Sequence, residues 1–278
     1  MSTSKAIFVT GGNSGIGLAL VRQLLVDHGC KVFMGSRSLE RGAAGVKQIT
    51  DAHPEVAASL EVIQIDVSDQ ASVTAAAATM KSKNVTLYAL VNNAGVGLNA
   101  SGDVLPTNFY GPKLVSDAFV NMINQEEGRI VNVSSGSASM WLRDQNEATK
   151  KIFTSSDTTW EELENAVKEA APTASMGGYG LSKAGLTEYT IQQGKQWPNL
   201  LCTSLSPGFI ETKMTHGYGA KLMPEQGTVS LLRCIFGDVT SGFYYGSDGK
   251  RSPLTVTRDP GTPEYEGEDN PDASKYNN

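Results

Sequence analysis

Cysteine and histidine are scarce in this sequence, with three of each among 278 residues. The cysteines are odd in number and far apart, so they fit neither a disulfide framework nor the paired spacing of a metal knuckle. None of the histidines has a second ligand at metal-binding spacing. The residues concerned are Cys30, Cys202, Cys234, His28, His53 and His216. We therefore predict no metal site and a reduced, cytoplasmic protein.

Long apolar runs and an excess of positive charge are also missing. No run approaches the roughly 20 apolar residues that a membrane span needs. The first residues, MSTSKAIFVTGG, lack the apolar core and the cleavage site of a secretory signal. The formal net charge is −6, which argues against nucleic acid as a partner. We predict neither a membrane nor a nucleic-acid partner.

The composition nevertheless supports a folded body. Hydrophobic residues make up 40% and charged residues 19% of the chain, which allows a sizeable core and excludes global disorder. The length suits one large α/β domain, which we assign to residues 1–251. Residues 252–278 carry a net charge of −4 and four prolines, without a periodic apolar pattern. We predict an acidic, Pro-rich tail that is extended or mobile, and its simplest interpretation is a solvated segment without a role.

Strand-like and helix-like stretches alternate along the body. Short apolar runs predict strands at 6–9, 31–34, 60–65, 87–91, 129–133, 200–205 and 242–245. Helical spacing such as Ile16, Leu20 and Leu24 lies between them. Strands that alternate with helices indicate a parallel sheet with helices on both faces. The right-handed crossover rule then favours a doubly wound α/β (Rossmann) fold that binds a nucleotide.

Residues 141–172 interrupt this alternation. Thr159 can cap a helix, and Glu162 lies three residues later, where its side chain can reach back. The apolar residues that follow share one face at helical spacing, and they are Trp160, Leu163 and Val167. We predict an inserted helix that packs on the body by this face and is not a separate domain.

A glycine-rich turn follows the first strand at residues 10–17, Thr-Gly-Gly-Asn-Ser-Gly-Ile-Gly. Glycines let the backbone approach a pyrophosphate, and the N-terminus of the following helix offers free N–H groups and a positive dipole end. An ordinary tight turn is the alternative, but the strand–turn–helix context favours a dinucleotide. The candidate cofactor-binding residues here are Gly11, Asn13, Ser14, Gly15, Ile16 and Gly17.

The second strand indicates which dinucleotide is bound. In NAD-binding proteins an acid lies about 20 residues after the glycines, and this position holds Arg37 instead. Arg37, with Arg41 four residues later, can bind a 2′-phosphate, so we predict NADP(H). The alternative is that both arginines are solvated surface residues. Asp66 and Val67 end the third strand, where Asp66 meets the adenine amino group or simply forms a turn.

Five motifs occur in an order that resembles the short-chain dehydrogenases/reductases. They are the glycine turn, Asn-Asn-Ala-Gly at 92–95, Asn-Val-Ser-Ser at 132–135, Tyr-Gly-Leu-Ser-Lys at 179–183 and Pro-Gly at 207–208. The resemblance covers about residues 5–246. Within that family the chain is similar to the carbonyl reductase group. The shared features are the pair Arg37 and Arg41, residues 107–111, the insert and residues 207–212.

The chemistry of the catalytic residues can be argued from their types and spacing. Reduction of a carbonyl by NADPH needs a proton for the developing alkoxide. Tyr179 can supply it, and Lys183, one helical turn later, shares its face and lowers its pKa. Ser135 holds the substrate oxygen. The resemblance implies that the second serine of the pair is the catalytic one, that Lys183 also binds the nicotinamide ribose, and that Asn108 completes a proton relay.

The resemblance implies further contacts to the cofactor. Its candidates are Asn93, Ala94, Gly95, Pro207, Gly208, Ile210 and Thr212, besides Tyr179 and Lys183. Helix capping is the alternative for Thr212. Ser206 stands where animal carbonyl reductases tend to carry a reactive cysteine, which argues against thiol-linked behaviour.

We therefore predict a reductase of ketones, aldehydes or quinones that acts on a small-molecule carbonyl with NADPH. The alternative is an NADP-dependent dehydrogenase of a lipid or steroid-like alcohol. A redox sensor without catalysis would be expected to lack the serine, tyrosine or lysine, and light-driven tetrapyrrole reduction does not fit the cysteine positions. The substrate pocket is assigned to 137–141, the loop around Asn99, and 209–223. We predict a monomer, because the insert covers the helix surface by which many relatives assemble. The alternative is that the apolar face of the insert itself forms a new interface.

Overall fold

Seven parallel strands form the central sheet of the protein, in the order β3-β2-β1-β4-β5-β6-β7. The computed structural model describes residues 4–97 and 103–278. The strands are β1 (Ala6–Thr10), β2 (Lys31–Ser36), β3 (Leu60–Gln64), β4 (Ala89–Asn92), β5 (Arg129–Val133), β6 (Leu201–Leu205) and β7 (Tyr244–Tyr245). The doubly wound fold predicted from the sequence is confirmed, and every predicted strand is present with its ends within two residues.

Helices cover both faces of this sheet. They are α1 (Gly15–Val26), α2 (Leu39–Ala52), α3 (Gln70–Ser82), α4 (Gly111–Phe119), α5 (Gly136–Arg143), α6 (Glu147–Ile152), α7 (Trp160–Ala170), α8 (Tyr179–Gln196), α9 (Val229–Phe236) and α10 (Ala273–Tyr276). The alternation of side chains along β1 shows how the two cores form. Ile7 and Val9 pack in one cluster with Leu20 of α1, whereas Phe8 packs in the other with Phe119 of α4.

The insert packs on its own body, as predicted. Thr159 and Glu162 form a reciprocal cap at the start of α7, with a 2.8 Å bond from the Thr159 N–H to Glu162 Oε2. Leu163 and Val167 are fully buried in a third core cluster beside α8. The insert contains a second helix, α6, which precedes α7 and was not predicted from the sequence.

The C-terminal segment differs from the extended or mobile tail predicted from its composition. Arg258 donates two hydrogen bonds of 2.8 and 2.7 Å to the Asp248 carboxylate, and its side chain is almost fully buried. Tyr276 of α10 is fully buried, and Ser252 donates its N–H to the Tyr244 carbonyl at the edge of β7. No periodic pattern in the sequence predicts these contacts, because they are made by single residues and not by a repeating apolar face. The acidic segment is therefore packed on the body, whatever its role.

The cysteines are buried and unpaired. Burial raises the pKa of Cys30 to about 11 and those of Cys202 and Cys234 to about 12, so all three are thiols at neutral pH. Across residues 4–97 and 103–278, no three His, Cys, Asp or Glu side chains are grouped to hold a metal ion. No helix in the same ranges has the length and apolar character needed to cross a membrane.

Candidate active site

The predicted site residues gather at the carboxyl edge of the sheet. Strand order reverses between β1 and β4, because the chain runs outward from β1 through β2 to β3 and then returns to the other side of β1. Ligands of open parallel sheets bind in the crevice at such a reversal. The loops after β1, β4, β5 and β6 all open at this edge, and they carry the motifs singled out from the sequence.

The glycine turn after β1 leaves its backbone open to a ligand. Gly11 has φ +63°, a conformation that favours glycine. A Cβ at Gly17 would lie 2.4 Å from the Gly11 carbonyl oxygen, so position 17 cannot hold a residue with a side chain unless the backbone shifts. Ser14 occupies the N-cap of α1, and its side chain makes no capping hydrogen bond within the part of the chain that the structure describes. The first N–H groups of α1 therefore face this turn, together with Asn13, Gly15 and Ile16.

Thr10 joins this turn to the loop after β4. Its Oγ1 accepts hydrogen bonds from the N–H groups of Asn93 and Ala94, both at 3.0 Å, and the Asn93 amide donates to the Thr10 carbonyl oxygen at 2.9 Å. Thr10 is not among the site residues predicted from the sequence. Its place directly before the paired glycines is the one local signal, since the contacts themselves are more than 80 residues apart in sequence.

Arg37 and Asp66 form an ion pair at the end of the crevice beside β2 and β3. Arg37 Nη1 lies 3.8 Å from Asp66 Oδ2, and the arginine side chain is 64% exposed and so free to contact a ligand. Asp66 Oδ1 accepts from both the N–H and the hydroxyl of Ser68, so the aspartate also forms the turn that was its alternative interpretation. Val67 is buried against Gly111. Arg41 lies exposed in the first turn of α2, whose N-cap is Ser38.

The two serines after β5 point in different directions. Ser134 is buried and bonds the Lys183 carbonyl oxygen at 3.0 Å and the Thr187 hydroxyl at 2.7 Å. Ser135 caps α5 instead, accepting from the Ser137 N–H at 3.2 Å, and its hydroxyl lies close enough to Tyr179 to lower the pKa of the tyrosine. Ser135 and Tyr179 therefore present two adjacent hydroxyl groups at the start of α5 and α8.

Burial dominates the ionisation of the Tyr–Lys pair. Burial raises the pKa of Tyr179, and the nearby Ser135 hydroxyl opposes this. Lys183 Nζ donates to the Val133 carbonyl oxygen at 2.7 Å, and burial lowers the pKa of the amine to about 8. The spacing of Tyr179 and Lys183 in the sequence predicts that the lysine lowers the pKa of the tyrosine. In this structure the ammonium lies 5.9 Å from the ring centroid, and the pKa of Tyr179 is instead raised by desolvation.

Asn108 lies in a π-helical turn, Pro106–Tyr110, that leads into α4. Its buried side chain accepts from the Val96 N–H and donates to the Val96 carbonyl, both at 2.9 Å, and also donates to the Ser182 hydroxyl at 3.2 Å. A Cβ at Gly95 would lie 3.4 Å from Asn108 Oδ1 and 3.6 Å from Lys183 Nζ. Asn108 thus ties the loop after β4 to α8 beside the lysine.

A buried polar network lies behind these residues. Asn92 of β4 donates to Ser116 of α4 at 3.0 Å and to Asn132 of β5 at 2.8 Å. Asn132 in turn donates to Thr190 at 2.9 Å and to Gln193 at 2.6 Å, both on α8. Because every member is almost completely buried, the network holds α8 at one position against the two strands that end in the cofactor loop and in Ser135.

The loop after β6 closes the crevice from the other side. Ser206 Oγ accepts from the N–H groups of Gly136 and Gly208, at 3.2 and 3.3 Å, and so joins the start of α5 to Pro207 and Gly208. Thr212 lies in a turn stabilised by the Thr215 hydroxyl, and its methyl group would be 3.3 Å from a Cβ at Gly15. No helix begins at Thr212, so its helix-capping alternative is excluded.

Apolar side chains surround the mouth of the crevice. Met214 packs against Gly97, where a Cβ would lie only 2.3 Å from Met214 Cγ. Ile210 is buried and bridges to Leu222. Large apolar side chains of the pocket segments are about half exposed, and they are Met140, Phe209, Tyr218, Leu222 and Met223. The loop around Asn99, also assigned to the pocket from the sequence, lies outside the described residues.

Comparison with known proteins supplies an independent finding. The short chain dehydrogenase family model matches residues 5–147. The chain is 31% identical over 272 residues to (+)-neomenthol dehydrogenase of Arabidopsis thaliana, with 83% of this chain and 91% of that protein covered. It is 28% identical over 249 residues to carbonyl reductase [NADPH] 1 of Homo sapiens, covering 79% and 86%. The solved menthone neomenthol reductase from Mentha piperita has the same fold, with a TM-score of 0.75 at 24% identity and coverage of 89% and 100%.

Proposed function

We propose that this chain, which belongs to the short-chain dehydrogenase family, is an oxidoreductase that reduces ketones, aldehydes or quinones with NADPH. The observation that carries the proposal is the convergence of Ser135, Tyr179 and Lys183. The Ser135 hydroxyl lowers the pKa of Tyr179, and the buried Lys183 ammonium lies 5.9 Å from the centroid of the tyrosine ring. Two hydroxyl groups that meet at one point can both donate to a carbonyl oxygen. The names of the relatives, a carbonyl reductase and a neomenthol dehydrogenase, agree with carbonyl–alcohol chemistry.

The turn after β1 fits the pyrophosphate of a dinucleotide. The close approach of Gly17 to the Gly11 carbonyl and the uncapped start of α1 provide backbone N–H groups that an anion can occupy. Asn93, Ala94 and Gly95 line one side of the crevice, whereas Pro207, Gly208, Ile210 and Thr212 line the other. When bound, the nicotinamide would supply the hydride for the reaction.

The residues of this chain would then control the proton. Ser135 donates to the carbonyl oxygen and fixes its position, and Tyr179 donates the proton that neutralises the developing alkoxide. Because burial raises the pKa of Tyr179, its hydroxyl carries that proton at neutral pH. Lys183 would contact the ribose and stabilise the phenolate that remains, and Asn108 would connect the amine to water for reprotonation.

The choice of NADP(H) rests on charge at the end of β2. Arg37 is exposed, and Arg41 follows one turn later on the same helix start. Asp66 neutralises Arg37 only in part, because the 3.8 Å ion pair leaves guanidinium N–H groups free. A 2′-phosphate would meet two cations here, whereas a 2′-hydroxyl would leave both without a strong acceptor.

A lipid or steroid-like alcohol, oxidised with NADP, is the second candidate. The half-exposed Phe209, Leu222 and Met223 favour it, because an apolar rim suits a lipophilic substrate. A panel of ketones, aldehydes and quinones, assayed with NADPH and NADH and in both directions, tests both candidates. Faster reduction with NADPH supports the first, and faster oxidation of a lipid alcohol supports the second. Loss of all turnover of these classes would contradict both.

We further propose that the catalytic body spans residues 1–251 and works as a monomer on a small-molecule carbonyl, with 252–278 as a packed C-terminal segment. The apolar face of α7, which includes Leu163 and Val167, is buried within the same chain. It is therefore not available to a second copy.

A further inference from the structure

A cavity of about 630 Å³ lies outside the candidate active site, between the packed C-terminal segment and the body. Its walls come from the end of α8, from the strand β7 with the residues before it, and from the C-terminal segment. Ser135, Tyr179 and Lys183 do not line it. This volume falls in the range of about 300–1,000 Å³ that is typical of small-molecule sites.

One wall of the cavity carries an arginine with free hydrogen-bonding capacity. The Arg251 guanidinium carbon lies 3.7 Å from the centroid of the Phe243 ring and 4.8 Å from that of Tyr265. These rings orient the guanidinium. Within residues 4–97 and 103–278 the guanidinium has no carboxylate within ion-pair distance, and its side-chain N–H groups donate no hydrogen bond. The backbone N–H of Arg251 donates to Glu264 Oε1 at 2.8 Å. Five donors in a fixed fork are thus held toward a space that the chain does not fill.

Arg258, in the same segment, differs from Arg251 because its side-chain donors are used within the protein. It is bidentate on Asp248 and also donates to the carbonyl oxygens of Thr262 and Pro263. Arg251 instead borders on Gly267, where a Cβ would lie 3.2 Å from its Nη1. The absence of a side chain at position 267 keeps the edge of the guanidinium accessible.

The other charges on the cavity wall are mostly compensated. Lys195 Nζ is bound to Asp157 Oδ1 at 3.0 Å and to the Ser156 carbonyl at 3.1 Å. Glu268 pairs with Lys275 and accepts from the Tyr276 hydroxyl. Asp269 is exposed to solvent, which screens its charge. The partly buried guanidinium is therefore the uncompensated charge that a ligand would meet.

Three apolar side chains also line the cavity. Ile191 of α8, Tyr244 of β7 and Leu254 of the C-terminal segment border the same space. We infer that this cavity is a second binding site, for an organic carboxylate whose apolar body rests on these side chains and whose oxygens take the free edge of Arg251. A guanidinium fork matches a carboxylate bidentately, which gives the site its selectivity for this class.

Binding of phenylacetate and octanoate to the full chain, measured by calorimetry in saturating NADPH, tests this inference, with phenylacetamide as the uncharged control. We expect saturable binding of the carboxylates and binding of the amide weaker by about tenfold or more. Arg251→Met keeps an apolar stem over the rings and should weaken carboxylate binding to a similar extent. Arg143→Met, which removes an exposed arginine elsewhere, should leave it unchanged.

Ile191→Trp provides a second variant that leaves the anchors of the C-terminal segment intact and fills the apolar floor. It should also abolish binding, so the test survives if Arg251→Met fails to fold. Absence of saturable binding by both carboxylates at millimolar concentration would overturn the inference. So would equal binding by a folded Arg251→Met protein, or equal binding of the amide.

Discussion

Asn132 on β5 donates a 2.6 Å hydrogen bond to Gln193 on α8, across 61 residues of sequence. Both side chains are fully buried, so water cannot take the place of either hydrogen-bond partner if the other is lost. Asn132 lies three residues before Ser135, and Gln193 lies on the helix that begins with Tyr179. The bond therefore joins the two elements whose first hydroxyl groups meet at the candidate active site.

Asn132→Ala should destabilise the fold. The change removes bonds to Asn92, Thr190 and Gln193 and leaves buried partners without replacement, at a cost of about 2–3 kcal/mol in the free energy of unfolding. Urea denaturation measures this. Asn270→Ala, at an exposed position of the C-terminal segment, is the control and should change stability by less than about 0.5 kcal/mol. Equal effects of the two variants would show that the network does not stabilise the protein.

Tyr179→Phe should abolish turnover and leave NADPH binding nearly intact. The phenol hydroxyl supplies the proton but contributes little to the affinity for the dinucleotide. Lys183→Ala should weaken both, because the amine serves ribose and phenol. Steady-state kinetics and fluorescence titration with NADPH separate the two effects. A Tyr179→Phe enzyme with most of its kcat would exclude the proposed proton donor.

Arg37→Asp should reverse or erase the preference for NADPH over NADH. Loss of one charge-assisted bidentate contact costs on the order of 1.5–3 kcal/mol, and the new carboxylate repels the 2′-phosphate. The ratio of kcat/KM for the two cofactors measures this. Lys47→Asp, on the helix α2 that follows Arg37, removes a lysine paired with Asp51 and is a control that should leave the ratio unchanged. A wild-type enzyme that already prefers NADH would contradict the assignment.

Acid should release the C-terminal segment before it unfolds the sheet. Bonds from Arg258, Gly261 and Lys250 outweigh the effect of burial and lower the pKa of Asp248 from 3.8 to about 2. The ion pair therefore contributes its full stabilisation above pH 3.8, and this is lost as the pH falls toward 2.

Hydrogen exchange of residues 252–278, followed from pH 6 to pH 1.5, measures this release. Asp248→Asn should show fast exchange of the same residues already at neutral pH. If the segment of that variant stays as protected as in the wild type, the ion pair is not its anchor.

Light scattering at micromolar concentration should give a monomer mass near 29.5 kDa. The reason is that α7 buries its apolar face against its own body, with the Trp160 ring stacked on Phe109 at 4.9 Å. A mass of twice that value would contradict the prediction and point to another surface as the interface.

Features set by neighbours in sequence could be predicted from the sequence. The strand positions follow from short apolar runs, because alternating side chains reach both cores from a parallel sheet, as Ile7 and Phe8 do. The cap of Thr159 and Glu162 spans three residues, so its spacing alone predicts the start of α7. The glycine turn is equally local, since strand, turn and helix are contiguous.

Features that depend on distant contacts were decided only by the tertiary structure. The acidic, proline-rich composition of residues 252–278 predicts a solvated tail. In the structure, however, Arg258 forms an ion pair with Asp248, and the Tyr276 side chain is buried. Thr10 joins two loops through bonds that no spacing reveals. The pKa of Tyr179 is raised by desolvation, although Lys183 lies one helical turn away. The sequence spacing could not show this, because the cost of burying a charge depends on surroundings that only the fold creates.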